Sequence, residues 1–182
     1  SLFFSVGFTK SKNSLEERRM GLEKLKKLPV VNNAHIKHHS YIDIMGLLKA
    51  FPAWFNQMGY FFYEKGLSEK DIGSGDQIES EWLAYKEVTE YVKFTIELTF
   101  TAKDIRKVVL ESGEETYWGR VLIMYTSTFE KDFQGKYGSV WYEEMMRQLY
   151  ERYIVKEELK KYMGKLVVES ASLSQMIKSY LK

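Results

Sequence analysis

The chain has no cysteine, only two prolines and only three histidines in 182 residues. Without cysteine there is no disulfide, no thiolate nucleophile and no zinc site with sulfur ligands. An intracellular, cytoplasmic setting is the simplest one for such a composition. Charge of one sign is lacking as well, since 27 Lys and Arg stand against 25 Asp and Glu, for a net charge of +2. Binding a phosphate backbone draws on a concentrated basic surface, so nucleic acid is not expected as a partner. No apolar run approaches the ~18 residues of a membrane-spanning helix, and no integral membrane segment is expected. The opening "SLFFSVGF" is too short for a signal peptide and has no basic flank before it.

What the chain does have is aromatic residues, at 15% of the total, within an ordinary 45% hydrophobic and 29% charged composition. Rings pack well on pleated sheets, and Tyr and Trp also line cavities and interfaces, where an apolar body and a polar tip are both useful. A chain of this length can bury one core, so one α+β domain is expected over residues 1–182, with residues 1–40 at its periphery.

The clearest local signal is "YVKFTIELTFTA", residues 91–102. Val92, Phe94, Ile96, Leu98, Phe100 and Ala102 alternate with polar neighbours, which predicts a strand of roughly 40 Å with one apolar face. Before it, "SLFFSVGFT" predicts a short strand. "NSLEERRMGLEKLKKLP" predicts a helix with a Ser14–Glu17 capping box, a stripe of Leu15, Leu22, Leu25 and Leu28, and a stop at Pro29. "VVNNAHIKHHS" reads as a connector. A second helix is expected from Asp43 to Met58, kinked or divided at Pro52 and capped by Gly59.

The period then changes to two. "YFFYEK" and "IESEWLAYK" read as strands on either side of a long polar loop, "GLSEKDIGSGDQ". "IRKVVL" reads as a further short strand, and "TYWGRVLIMYTSTF" as a long one with an interior place in the sheet. At the end, Tyr142, Met146, Leu149 and Tyr153 lie at helical spacing. Leu159, Met163, Leu166, Ser170, Leu173, Ile177 and Tyr180 then recur in alternating steps of four and three. A helix from Lys156 to Leu181 would be about 40 Å long, which matches the apolar face of the strand. That stripe could also be a seam for another chain, but an uncovered sheet face beside it favours packing within the molecule.

The order strand, helix, helix, antiparallel strands, long C-terminal helix resembles the helix-grip fold of START-like proteins. The resemblance covers most of the chain and lies in element order, so no functional residue is carried over. It implies an antiparallel sheet wrapped on the last helix, with an apolar ligand held between them in many members.

Candidate chemistry is sparse. His35, His38 and His39 in "HIKHH" would present His35, His39 and Asp43 on one face if helical, a set suited to zinc or nickel; a solvated connector without metal is the expectation. "GSGDQ" lacks the spacing and the Lys-Ser or Lys-Thr of a phosphate loop. Arg18, Arg19, Lys24, Lys26 and Lys27 are diluted by Glu16, Glu17 and Glu23, as on an ordinary solvated helix. Glu90 shares the parity of Val92 and could be an acid at the mouth of the apolar face, although a solvated strand end is the commoner situation.

The expected function is therefore a non-catalytic binding module, with no cofactor and no metal, holding an apolar or aromatic small molecule between sheet and C-terminal helix. Trp82, Phe94, Ile96, Tyr117, Ile123 and Tyr125 are the residues expected to border that ligand. The alternative is a structural or protein-interaction domain with a filled core. In that case Trp118, Leu122 and Met124, on the opposite parity of the same strand, would form a patch for a second copy. An enzyme ranks third.

Overall fold

In the computed structural model of the protein, residues 26–71, 76–109, 115–135 and 141–181 are described. The predicted strand at residues 1–9, most of the helix that follows it and the turn "ESGE" lie outside these residues. The order of elements is β1 (Lys27–Ile42), α1 (Ile44–Met58), β2 (Phe61–Asp71), β3 (Asp76–Glu87), β4 (Val92–Val109), β5 (Glu115–Lys131), α2 (Trp141–Leu149), a π-helical turn (Tyr150–Ile154) and α3 (Lys156–Ser179). The strands form one antiparallel sheet in the order β1-β5-β4-β3-β2. This is the α+β class expected, with a long C-terminal helix on an antiparallel sheet.

Strict alternation places β4 at the middle. Val92, Phe94, Ile96, Leu98, Phe100 and Ala102 are all buried, beneath α1 on one side and α3 on the other. Asp104 then takes φ +55 and the register to β5 shifts between Lys103 and Arg106. This bulge resets the alternation, so Ile105 also points inward. "IRKVVL" is therefore the continuation of β4 rather than a separate strand. Gly119 suits the position opposite the bulge, because a Cβ there would lie 3.1 Å from the Lys103 carbonyl oxygen, tighter than an ordinary contact.

α1 begins where the Asp43 carboxylate accepts from the Gly46 amide at 2.8 Å, and ends at Gly59, whose φ of +75 suits a left-handed cap. The helix runs on through Pro52 as one element. Ile44, Leu47, Phe51, Trp54 and Phe55 face the sheet. Phe51 meets Trp82 and Phe100, while Phe55 meets Phe62. α3 covers the other half of the same face with Leu166, Ser170, Leu173 and Ile177, the stripe read from the sequence.

Two further readings of the sequence need correction. "VVNNAHIKHHS" is not a connector but most of β1, paired to β5 from Lys27 to Ile42, so the strand is already under way before Pro29. Its alternation is masked because the inward positions include His38 and Ser40, and because Asn33, at φ +47, sits at a bulge. The long polar loop is also mostly strand, since β2 extends to Asp71 and β3 begins at Asp76. Tertiary pairing overrides weak strand propensity in both segments. The stripe of Tyr142, Met146, Leu149 and Tyr153 is helical, as its spacing predicts, and it points outward, with Tyr153 72% exposed. The inward side of α2 is its charged side, centred on buried Arg147. Among the described residues, no helix is long and apolar enough to cross a membrane.

Candidate functional site

The six residues expected around an internal ligand all lie on the helix-covered face, but not in one place. Phe94, Ile96, Ile123 and Tyr125 are buried in the core, and Trp82 and Tyr117 pack against it half-buried. Trp82 and Tyr125 flank Leu98 in one cross-strand row, with Ile96 and Ile123 in the adjoining rows. Phe94 sits opposite Phe129 at one end of the sheet, whereas Tyr117 pairs with Ile42 at the other. The Tyr125 hydroxyl is engaged with Ser174 Oγ at 2.6 Å, which ties β5 to α3. Trp82 Nε1 is buried and, among the described residues, has no acceptor.

Two polar clusters hold the helices. In the first, Glu169 of α3 accepts from Tyr60 Oη at 2.5 Å and from Lys86 Nζ at 2.8 Å, while Lys86 also donates to the Met58 carbonyl at 2.9 Å. Burial first, and then the hydrogen bond and negative charge of Glu169, push the Tyr60 phenol far above its ordinary pKa, so it stays a donor. In the second, Arg147 binds Glu144 and Glu151, and Glu151 also accepts from Tyr91 and Lys131. Burial pushes the Glu151 carboxyl up, but hydrogen bonds from Lys131 and Tyr91 and the charges of Lys131 and Arg147 outweigh it, and its pKa falls below the ordinary value. The Glu144 carboxyl is lowered chiefly by its hydrogen bond from Arg147. The donors and acceptors of both clusters are engaged in hydrogen bonds and ion pairs that link separate elements. Their role is to join elements.

The histidines lie on a strand, not a helix. His35 and His39 share the outer side of β1 with Lys37 between them, and His38 is on the inner side. Four residues along a strand span roughly 13 Å, too far for both rings to reach one metal ion. Asp43 is occupied as the α1 cap, and His39 packs against Trp118 with ring centroids 4.8 Å apart. Among the described residues, no group of three or more His, Asp and Glu is arranged to hold a metal. Glu90 is exposed in the β3–β4 turn and lines a cavity of about 390 Å³ with Tyr91, Tyr150 and Tyr162.

The site that reading the sequence missed is on the face of the sheet that, among the described residues, no helix covers. A cleft of about 480 Å³ is lined by Lys37, His39, Glu79, Thr101, Lys103, Arg120 and Leu122. The register explains how four strands assemble it. His39, Arg120 and Lys103 form one cross-strand row, and Lys37, Leu122, Thr101 and Glu79 form the next. Arg120 is directly opposite Lys103, an arrangement of like charges that costs stability unless an anion answers it. Asp104, at the bulge, answers Arg120 in part. Lys37, Lys103 and Arg120 thus surround a floor of Leu122 and Thr101, with the His39 and Trp118 rings at one side. An alternation of His35, Lys37 and His39 was the signal available, and reading the segment as a connector hid it.

Compared with known proteins, the chain matches no family model and no curated protein sequence significantly.

Proposed function

We propose that the domain is a non-catalytic binding module for a small molecule that carries a carboxylate or phosphate on an apolar body, received on the open face of the sheet. The observation that carries this reading is the cross-strand opposition of Arg120 and Lys103, with Lys37 in the next row, around a cleft floored by Leu122. Its volume of about 480 Å³ falls within the range of small-molecule sites, about 300–1,000 Å³. The cations offer charge-assisted hydrogen bonds to the anionic end, and Leu122 with the His39 and Trp118 rings offers apolar cover to the rest.

A second reading keeps the ligand between sheet and α3, as the START-like resemblance implies. Trp82 Nε1, beneath α1 on the same face, favours a ligand on that side of the sheet, since a ligand oxygen would supply the acceptor that the indole lacks among the described residues. The anionic aromatic probe 8-anilinonaphthalene-1-sulfonate separates the two. On the first reading it binds the native chain, Lys103→Glu and Arg120→Glu weaken binding at least tenfold, about 1.4 kcal/mol, and Ile123→Trp leaves it unchanged. Weakening by Ile123→Trp alone would move the ligand to the inner face. Failure of the native chain to bind would remove both.

A further inference from the structure

Among the described residues β2 has a neighbour on one side only, β3, so its other side presents a row of backbone N–H and C=O groups. The opposite edge of the sheet is blunted. β1 carries Pro29, two register shifts and the positive φ of Asn33. β2 has one irregularity, the bulge between Glu64 and Gly66, and pairs without a break from Gly66 to Asp71.

The side chains on that run are self-complementary. Leu67 and Glu69 lie opposite Ser80 and Ile78, on the inner side of the sheet, and Lys65, two residues before Leu67, is the extra residue at the bulge, with no partner on β3. Lys65 and Glu69 are exposed and Leu67 is 56% exposed, beyond the cover of α1. Neither charged residue has an ion-pair partner within the described chain. Set antiparallel against itself with Leu67 on the two-fold axis, the strand places Lys65 opposite Glu69 of a second copy and Glu69 opposite its Lys65. The two leucines meet on the axis. On the other side of β2, Phe61 at 71% and Tyr63 at 50% exposure extend the apolar surface toward each end of the seam.

We propose that two copies of the chain pair through β2, antiparallel and centred on Leu67, joining their sheets edge to edge. The interface is isologous, and the backbone groups along each edge satisfy those of the other. Unlike a generic sticky edge, this pairing has a register, because only centring on Leu67 matches both charge pairs at once.

Charge reversal in the 182-residue chain tests the register. The native protein sediments at twice 21.5 kDa. Lys65→Glu and Glu69→Lys each place like charges across the axis, and each sediments as a monomer with unchanged far-UV circular dichroism. The double variant restores opposite charges and restores the dimer. Because the chain has no cysteine of its own, Leu67→Cys forms a disulfide-linked dimer under mild oxidation, whereas Ser68→Cys, off the axis and on the other side of the strand, does not. A monomeric native protein would overturn the proposal. So would single reversals that stay dimeric, a double variant that stays monomeric, or cross-linking of Ser68→Cys as fast as Leu67→Cys.

Discussion

Replacing Glu169 by Leu removes the acceptor shared by Tyr60 and Lys86 and leaves both donors under α3. The Lys86 and Glu169 side chains are 15% and 8% exposed, so both are largely shielded from water. Lys86 keeps the Met58 carbonyl and the faces of the Tyr60 and Phe94 rings, but its charge loses the carboxylate that offsets desolvation. Removing one member of a buried ion pair costs about 3–5 kcal/mol. For a domain of this size, at about 2–4 °C per kcal/mol, the melting temperature falls by roughly 6–20 °C. Urea titration followed by circular dichroism reads the loss as a lower midpoint with the slope unchanged. The decisive variant carries Tyr60→Phe, Lys86→Met and Glu169→Leu together. It replaces the whole cluster with apolar groups of similar volume and should return to within ~1 kcal/mol of native. A single Glu169→Leu change costing less than ~1 kcal/mol, or a triple variant as unstable as the single one, would refute the reasoning. The first result would mean that α3 does not depend on the cluster; the second would mean that packing, not charge, was lost.

Leu98 is 1% exposed at the centre of β4, between Trp82 and Tyr125 on the flanking strands. Leu98→Ala should cost roughly 2–5 kcal/mol in the same urea assay, and an unchanged midpoint would contradict its place in the core. The Glu144 and Glu151 carboxyls are held below the ordinary value of 4.5 in the folded state. They therefore bind protons less readily when folded than when unfolded. Their contribution is complete above the ordinary value and is lost as pH falls through the lowered folded values. The melting temperature should drop more steeply below about pH 5 in the native chain than in Arg147→Met, where the guanidinium that helps lower both groups is gone. Equal slopes would show that the cluster contributes nothing to acid sensitivity.

The amino-acid sequence alone determined those parts of the molecule in which neighbouring residues carry the information. β4 is legible because one face is buried along most of its length, so every second residue must be apolar. α1 is legible from Asp43 and Gly59, whose side chain and conformational freedom act within a few residues. The α3 stripe is legible because a helix with one buried side repeats that side every three or four residues. Long-range pairing decided the rest. β1 has His38 and Ser40 on its inner side, and hydrogen bonding to β5 makes it a strand despite them. α2 turns its apolar side outward because its buried Arg147 binds Glu151 of the π-helical turn, which Tyr91 and Lys131, distant in sequence, hold from the sheet side. The open-face cleft could not be read in any window of the chain. Lys37, Lys103 and Arg120 lie on three strands, and only the register of those strands sets their charges beside one another.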